Sequence, residues 1–271
     1  MTAARLLAEV AAYGSVAVAY SGGADSALVL AAAVRALGAD RVLAVTAVSE
    51  SLPAAELAPA SALAAELGVR HLTPRTHELA SAGYRANGRD RCYFCKSTVL
   101  TAITAIAAAQ GLATVATGTN ADDAADPFRP GIRAGAERGV RTPLRDAGLT
   151  KDAVRAISRE WHLPTATKPA TPCLASRVRY GLAITPYRLA RVDRAETAVR
   201  ALLAGAGLAT TDLRVRDLDT AVRVEVDAPL AAVVAALPAL RQTLAESGFT
   251  DVPVEVAPFR SGNLNLAPPP G

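Results

Sequence analysis

The fold is decided by residues 15–26, which read Ser15-Val-Ala-Val-Ala-Tyr-Ser-Gly-Gly-Ala-Asp-Ser26. The first half is a short apolar run, typical of a buried strand, and it ends at two glycines. The Ala- and Leu-rich run from Ala27 to Leu37 that follows predicts a helix. We therefore expect a strand, a glycine turn and a helix in immediate succession.

The turn itself, residues 21–26, has the composition of an anion site. Backbone N–H groups at a helix start lie at the positive end of the helix dipole, and glycines let that backbone approach a phosphate closely. Ser21 and Ser26 add hydroxyl donors, and the turn has no lysine, which excludes the phosphate loop of kinases and GTPases. A glycine turn with a polar helix cap would explain the two glycines alone. The two serines and Asp25 in this context favour phosphate binding.

Apolar strands and helices alternate through the first two-thirds of the chain. Strands are predicted at 15–20, 41–47, 69–73 and 112–118, and helices at 3–12, 25–37, 53–67, 96–110 and 151–160. This alternation predicts an α/β fold with a parallel sheet, in which ligands bind beyond the carboxyl ends of the strands. The glycine turn, Ser49 and Gly118 each follow a predicted strand at that edge.

A different pattern of predicted helices and strands begins near residue 181. Helices are predicted at 186–203 and 230–247, and strands at 213–217, 222–227 and 251–257. Val222, Val224 and Val226 alternate with charged residues, which is typical of a half-exposed antiparallel strand. We predict a first domain over 1–180, a smaller α+β domain over 181–262 and a disordered proline-rich tail over 263–271.

Length and composition bound the class of protein. The chain has 271 residues, 51% of them hydrophobic, which suffices for one large domain or for two smaller ones. Its net charge of +4 suits a nucleotide and a tRNA equally. No apolar run is expected to approach the ~20 residues that span a membrane. The N-terminus lacks the order of a signal peptide, so we expect a cytoplasmic protein.

Three cysteines, Cys92, Cys95 and Cys173, are candidate metal ligands. An odd number in a chain expected in the cytoplasm argues against structural disulfides. Cys92 and Cys95 form a CxxC pair, which holds a metal or acts as a redox pair; incidental buried cysteines are the alternative. Cys173 follows Pro172 in a stiff segment whose neighbouring cations favour a thiolate. Three thiolates leave one open position on zinc or on an iron of a [4Fe–4S] cube, and the residues alone do not separate the two.

These motifs together resemble the LarE-type ATP-dependent sulfur transferases of the pyrophosphate-loop (ATP-pyrophosphatase) superfamily. The resemblance covers nearly the whole chain. Besides the loop and the cysteine pair, it rests on Gly118-Thr-Asn120, Asp126-Pro-Phe-Arg-Pro-Gly131, Pro172-Cys-Leu-Ala-Ser-Arg177, Tyr180-Gly181, Glu196, Arg214-Val-Arg216 and Phe259-Arg-Ser-Gly262. The segment around Cys173 is the specific one, because the glycine loop is shared across the superfamily. The resemblance implies a Rossmann-like, HUP-like parallel sheet with a smaller C-terminal α+β domain.

The reaction that the resemblance implies is a step in the biosynthesis of the nickel-pincer nucleotide. A carboxylate of pyridinium-3,5-biscarboxylic acid mononucleotide is adenylated with ATP and Mg²⁺ and then converted to a thiocarboxylate. In one branch of the family the cysteine matching Cys173 gives up its own sulfur and becomes dehydroalanine. In the other branch three cysteines hold a [4Fe–4S] cluster that carries sulfide. The pair Cys92 and Cys95 favours the cluster branch for this chain.

The resemblance also implies roles for individual residues. The expected ATP-binding residues are Ser21, Gly22, Gly23, Asp25, Ser26, Ser49 and Gly118. Cys173, Asp25 and Glu196 are expected in catalysis, with Glu196 also a Mg²⁺ ligand or, alternatively, a solvated helix carboxylate. The substrate phosphate is expected on Arg214, Arg216, Arg260 and Ser261, against the alternative of an exposed basic strand face. A homo-oligomer such as a hexamer is expected, with no membrane or nucleic-acid partner, and the sulfide donor stays open.

Three other functions are compatible with the loop. A tRNA-thiolating enzyme shares it, although the sequence has no long basic stretch interleaved with aromatic residues. An amide-forming synthetase that uses ammonia, as in NAD synthesis, would need no cysteines. A metal carrier would bind metal without releasing pyrophosphate from ATP.

Overall fold

The computed structural model of the chain describes residues 2–125 and 130–260. It divides into two compact units. The first comprises the residues up to 84 together with 90–171, and the second comprises 85–89 and the residues from 172 onward.

The first unit is built on a four-stranded parallel sheet with strand order β3-β2-β1-β4. Its strands are β1 (Val16–Ala19), β2 (Val42–Val45), β3 (Arg70–Leu72) and β4 (Thr114–Ala116). Its helices are α1 (Thr2–Ala11), α2 (Ala24–Leu37), α3 (Ala54–Glu66), α4 (Ala82–Arg85, which ends in the other unit), α5 (Arg91–Ala109), α6 (Ala121–Ala125), α7 (Pro130–Ala136), α8 (Pro143–Asp146) and α9 (Lys151–Glu160). The predicted α/β fold class is confirmed.

The strand β1 lies in the middle of the sheet, and both of its faces are covered. Val16 and Val18 face one core with α1 and α2, while Ala17 faces another core with α5. Because β1 pairs in parallel with both β2 and β4, the carboxyl ends of the three strands meet at one edge. This places the glycine turn after β1 beside the loops that follow the other two strands, as the sequence predicted.

Helix α5 differs from its prediction. It begins at Arg91, five residues before the expected Lys96, so Cys92 and Cys95 lie in its first turns rather than in a preceding loop. By length and composition α5 is apolar enough to cross a membrane, which corrects the expectation that no run approaches that length. Its Leu100 and Ile103 pack in the core beneath the sheet, so the helix covers one sheet face of the α/β fold.

The second unit has a three-stranded sheet with order β5-β6-β7. Its elements are α10 (Pro186–Gly205), β5 (Leu213–Asp217), β6 (Val222–Val226), α11 (Ala231–Ala235), α12 (Leu240–Glu246) and β7 (Val254–Pro258). Strand β6 pairs antiparallel with β5 and parallel with β7, which makes it the central strand. The predicted antiparallel pairing holds for β5, but the predicted half-exposure of β6 is wrong, because Glu225 on its charged face is fully buried. The single helix predicted over 230–247 is also wrong: α11 and α12 meet at 87° around Pro238, whose ring cannot continue a helix.

The units divide at a different place from the predicted boundary at 180. Residues 85–89 pack with the second unit because the amide of Asn87 donates hydrogen bonds of 2.9 Å to the carbonyl oxygens of Arg179 and Leu182. The N–H of Ile184 also donates to the carbonyl oxygen of Arg85 at 2.9 Å. The predicted tail over 263–271 lies outside the described residues, as do Ser261, Gly262 and residues 126–129.

Candidate active site at the glycine loop

Gly22 is required by both its backbone angle and its surroundings. Its φ is +71°, a left-handed conformation that favours glycine. A Cβ at this position would lie 2.8 Å from the Cβ of Ala60 on α3. Gly23 follows as the N-cap of α2 in extended conformation, so the chain turns directly from β1 into the helix. The local geometry is the strand, turn and helix start that the sequence predicted.

Hydrogen bonds of the two serines hold this turn closed. The N–H of Ser21 donates to Oγ of Ser26 at 3.2 Å, and that hydroxyl donates to the carbonyl oxygen of Gly23 at 3.2 Å. The Ser21 and Ser26 hydroxyls lie 3.1 Å apart, with Ser26 buried and Ser21 exposed. The hydroxyl of Ser26 therefore shapes the loop, and Ser21 is the serine that faces solvent.

Asp25 at the start of α2 is held by two partners from later in the chain. The ammonium group of Lys151 pairs with its Oδ2, and the amide of Asn120 donates to its Oδ1 at 3.3 Å. Gly118 makes this approach possible, because a Cβ there would lie 2.7 Å from the backbone nitrogen of Ser26. Asp25 thus connects the glycine loop to the loop after β4 and to α9.

Lys168 is a second cation at the turn. Its ammonium nitrogen lies 3.0 Å from the carbonyl oxygen of Gly22 and 2.7 Å from Oε2 of Glu56 on α3. Sequence reasoning gave neither Lys168 nor Lys151 a role in phosphate binding. The chain has only three lysines among its basic residues, and the structure brings two of them to this loop. Both ammonium groups place positive charge beside a turn already suited to an anion.

Ser49 lies beyond β2 and contacts a buried carboxylate. Its hydroxyl donates to Oε1 of Glu78 at 3.1 Å, and it accepts the N–H of Ser51 at 3.3 Å. Glu78 is 3% exposed, and its Oε2 accepts no hydrogen bond within the part of the chain that the structure describes. Ser49 is therefore anchored at the same sheet edge as the glycine loop, by a residue that sequence reasoning did not single out.

The three cysteines are thiols, and none of them is in a disulfide. Cys92 and Cys95 lie three residues apart on α5, so their side chains lie on neighbouring positions of one helix face. Cys92 is exposed and Cys95 is half-buried. Cys173 is half-buried and lies in the other unit, directly before a 3₁₀ helix over Leu174–Arg177. Within residues 2–125 and 130–260, no three His, Cys, Asp or Glu side chains are grouped to hold a metal.

Glu196 on α10 is neither solvated nor open to a metal. It is 9% exposed, and both of its carboxylate oxygens accept hydrogen bonds from the fully buried guanidinium of Arg177, at 2.8 and 3.1 Å. The backbone N–H of Val215 also donates to its Oε1 at 3.0 Å. Glu196 therefore forms a buried ion pair with Arg177, next to the segment that carries Cys173.

The arginines expected at the substrate phosphate differ in exposure and in the groups that they contact. Arg214 and Arg216 are 5% and 6% exposed, which excludes the exposed basic strand face. Arg216 pairs with the buried carboxylate of Glu225 at 2.7 Å. Arg214 lies over the ring of Phe259, and its pKa is lowered by burial and then by neighbouring Arg177. Arg260 is exposed at the end of the described chain.

The comparisons with known proteins fit this geometry. A profile of the NAD synthase family matches residues 4–90, the part of the chain that contains the glycine loop. The chain is 34% identical over 263 residues to the pyridinium-3,5-bisthiocarboxylic acid mononucleotide synthase of Lactiplantibacillus plantarum, covering 97% of this chain and 93% of that protein. It is 41% identical over 194 residues to an uncharacterized protein of Synechocystis, covering 70% of each. It is also 26% identical over 175 residues to an uncharacterized protein of Methanocaldococcus jannaschii, covering 65% of this chain and 66% of that protein.

These similarities identify the type of domain that contains the loop and the family of the whole chain. The profile match places Ser21–Ser26 in a domain of the NAD synthase type. The identity with the synthase then continues from that domain through the segment of Cys173 and into the second unit. The chain is an enzyme of the pyrophosphate-loop class and belongs to the LarE family.

Proposed function

We propose that this enzyme adenylates a carboxylate of pyridinium-3,5-biscarboxylic acid mononucleotide with ATP and converts it to a thiocarboxylate. The observation that carries the proposal is the relationship over 97% of the chain with a synthase named for the bisthiocarboxylic acid product. The proposed setting is the cytoplasm, with the enzyme as a homo-oligomer and without nucleic acid as a partner.

The first half of the reaction uses the glycine loop. A carboxylate oxygen of the substrate attacks the α-phosphorus of ATP, the bond to the β-phosphate breaks, and pyrophosphate leaves with Mg²⁺. The turn at Gly22 and Gly23, with the exposed Ser21, supports binding of that pyrophosphate. Lys151 and Lys168 supply the cations that balance its charge, and Asp25 orients the loop through Lys151.

The remaining ATP contacts are proposed at the same sheet edge. Ser49 and Gly118 follow β2 and β4, whose carboxyl ends lie on either side of the strand that leads into the loop. Gly118 lets the loop after β4 touch the backbone of Asp25 and Ser26. We assign Ser49, anchored by Glu78, to the nucleoside of ATP, because it follows the strand next to the one that leads into the glycine loop.

The second half of the reaction replaces AMP by sulfur. The carboxylate oxygen alone is a poor leaving group, and adenylation turns it into part of AMP. We assign Cys92, Cys95 and Cys173 as ligands of a [4Fe–4S] cluster. The chemistry of the donors suits this group, because thiolates are the ligands that iron–sulfur clusters use, and Cys92 and Cys95 lie one turn apart at a helix start while Cys173 is half-buried. When bound, the cluster would supply the sulfide that displaces AMP from the adenylated carboxylate.

The second unit is proposed to hold the substrate nucleotide. Arg214 and Arg260, with Ser261, are assigned to its phosphate, because guanidinium groups bind phosphate in a fork. Arg216 was expected in the same role, but its guanidinium is already paired with Glu225 and donates to the carbonyl oxygen of Ser176 at 3.0 Å. We therefore assign Arg216 to the support of the segment that carries Cys173.

The proposal is tested by anaerobic turnover with ATP, Mg²⁺, sulfide and the biscarboxylate nucleotide. We expect pyrophosphate release together with a thiocarboxylate detected by mass spectrometry. In Cys173→Ala, pyrophosphate release should persist while the thiocarboxylate is lost, because only the second half needs the thiol. Formation of an amide from ammonia by a chain in which all three cysteines are alanine would contradict the proposal in favour of an NAD-synthase-type amide synthetase. Thiolated tRNA would contradict it in favour of a tRNA thiolase.

A further inference from the structure

A fully buried arginine holds the segment that carries Cys173. Arg177 is fully buried, and its Nη1 donates to the carbonyl oxygen of Pro172 and, at 3.1 Å, to that of Cys173 itself. The same nitrogen lies 3.0 Å from Oγ of Ser176, which in turn donates to the carbonyl oxygen of Cys173 at 2.7 Å. The two peptide groups that flank the Cα of Cys173 are therefore held by one guanidinium.

The other edge of that guanidinium is held by Glu196. Nε and Nη2 donate to the two carboxylate oxygens at 2.8 and 3.1 Å, a bidentate pair that fixes the guanidinium plane. Oε1 of Glu196 also accepts the N–H of Val215, so the carboxylate connects α10 to β5. Only arginine has enough donors in a fixed fork to serve both sides at once.

A second contact ties the same segment to β5. Nη1 of Arg216 donates to the carbonyl oxygen of Ser176 at 3.0 Å, and Arg216 is paired with Glu225. Binding of Mg²⁺ by Glu196 would draw its oxygens from Arg177 and leave a fully buried guanidinium without its carboxylate, which is strongly unfavourable.

We propose that Arg177 and Glu196 are positioning residues that hold Cys173 in place for sulfur transfer, and that Glu196 is not a Mg²⁺ ligand. This inference rests on the proposed function only in giving Cys173 a part in that transfer. The ion pair fixes the guanidinium, and the guanidinium holds the carbonyl groups on either side of Cys173. The half-buried thiol of Cys173 is thereby kept in one position.

The test uses a background of Cys92→Ser and Cys95→Ser, in which Cys173 is the single thiol, and measures its rate of alkylation by iodoacetamide. Glu196→Gln keeps the shape and the acceptor for Val215 but removes the charge that fixes Arg177. We expect its alkylation rate to rise about tenfold, because the segment opens more often once charge-assisted hydrogen bonds are lost. Arg177→Lys should behave likewise. Arg179→Lys, an exposed arginine two residues on, should leave the rate unchanged.

A second measurement separates positioning from metal binding. In the chain with all cysteines, the Mg²⁺ concentration that gives half-maximal pyrophosphate release should be the same for Glu196→Gln and the parent. A higher Mg²⁺ requirement would overturn the proposal, and so would unchanged alkylation rates in the folded variants. If Arg177→Lys does not fold, Glu196→Gln still decides the matter. Absence of pyrophosphate release from the parent chain would defeat the proposed function, while the alkylation rates would still report on Arg177 and Glu196.

Discussion

The ammonium nitrogen of Lys168 lies 3.0 Å from the carbonyl oxygen of Gly22, which is 146 positions earlier in the chain. It also pairs with Glu56, so the glycine turn and the start of α3 share one cation. An ammonium group has three donors, and in this arrangement one can turn to a phosphate oxygen without releasing both partners. Lys168 therefore supports the loop, and its charge is available to the pyrophosphate of the proposed reaction.

The first prediction concerns this cation. Lys168→Met should lower the rate of ATP-dependent pyrophosphate release about a hundredfold, the usual cost of removing one preorganised donor from a developing negative charge. Arg159→Met, which removes an exposed cation from α9, serves as the control and should release pyrophosphate at the parent rate. A parent-like rate in Lys168→Met would show that Lys168 takes no part in pyrophosphate release.

The second prediction concerns the contact between the loop after β4 and the start of α2. A Cβ at Gly118 would lie 2.7 Å from the nitrogen of Ser26 and 2.9 Å from the carbonyl carbon of Asp25. Because both are backbone atoms, Gly118→Ala must displace the glycine loop, and pyrophosphate release should fall by about a hundredfold. Gly205→Ala has no heavy atom within 4 Å of the new Cβ and is the matched control. Equal rates in the two variants would show that the loop tolerates the shift.

The sheet and the loop could be predicted because their signals are local. Four short apolar runs mark the strands, and the sequence Ser21–Ser26 marks the turn without any knowledge of its neighbours. Partners that lie far apart in the chain carry no such signal. Nothing near Lys151 or Lys168 indicates that each will meet residues 22–25, since that contact depends on how the chain returns to the sheet edge.

The misplaced elements have particular causes. Residues 91–95 contain two cysteines and two aromatic residues, which are weak helix formers, yet packing extends α5 back to Arg91. Pro238 lies inside an otherwise apolar helical pattern, and it ends that pattern as its missing N–H requires. On β6 the alternating pattern predicts an exposed Glu225, but this residue is buried, with its charge balanced by Arg216 on the neighbouring strand.

The third prediction follows from that buried pair. Arg216→Met removes the guanidinium that pairs with the fully buried carboxylate of Glu225 and should lower the free energy of unfolding by about 3–5 kcal/mol. Replacing both partners, as Arg216→Met with Glu225→Leu, should recover most of the loss. Arg223→Met breaks the exposed pair with Glu255 on the same sheet and should cost at most about 1 kcal/mol. Urea unfolding of the four chains measures these differences, and a small loss in Arg216→Met would show that Glu225 finds another partner.

The fourth prediction concerns the cysteines. Anaerobic reconstitution with iron and sulfide should give about four iron atoms per chain, as a cube requires. Cys95→Ser should lower the iron content, because it removes one of the two adjacent thiols on α5. Thr104→Ala changes an exposed side chain of the same helix and should retain the iron of the parent. Protein that holds only zinc, or no metal, after anaerobic purification would exclude the cluster.

The fifth prediction is a pH dependence of stability that arises at His71. Its Nε2 lies 2.8 Å from the hydroxyl of Thr46, whose own proton is donated to the carbonyl oxygen of Tyr20 at 2.6 Å. The imidazole must therefore donate to Thr46 through Nε2, and burial lowers the pKa of His71 below its ordinary value.

The sign of the effect follows from that lowered pKa. The unfolded chain binds a proton at His71 more readily than the folded one, so the contribution is fully present above a pH of about 6.5 and is lost as the pH falls through the folded pKa. The parent should thus lose more stability than His71→Gln on acidification from about pH 7.5 to about pH 5.5, by at most about 1.4 kcal/mol per pH unit. His162→Asn, which changes an exposed histidine, should follow the parent. If the unfolding free energies of the parent and His71→Gln ran parallel with pH, a neutral, half-buried imidazole at His71 would be refuted.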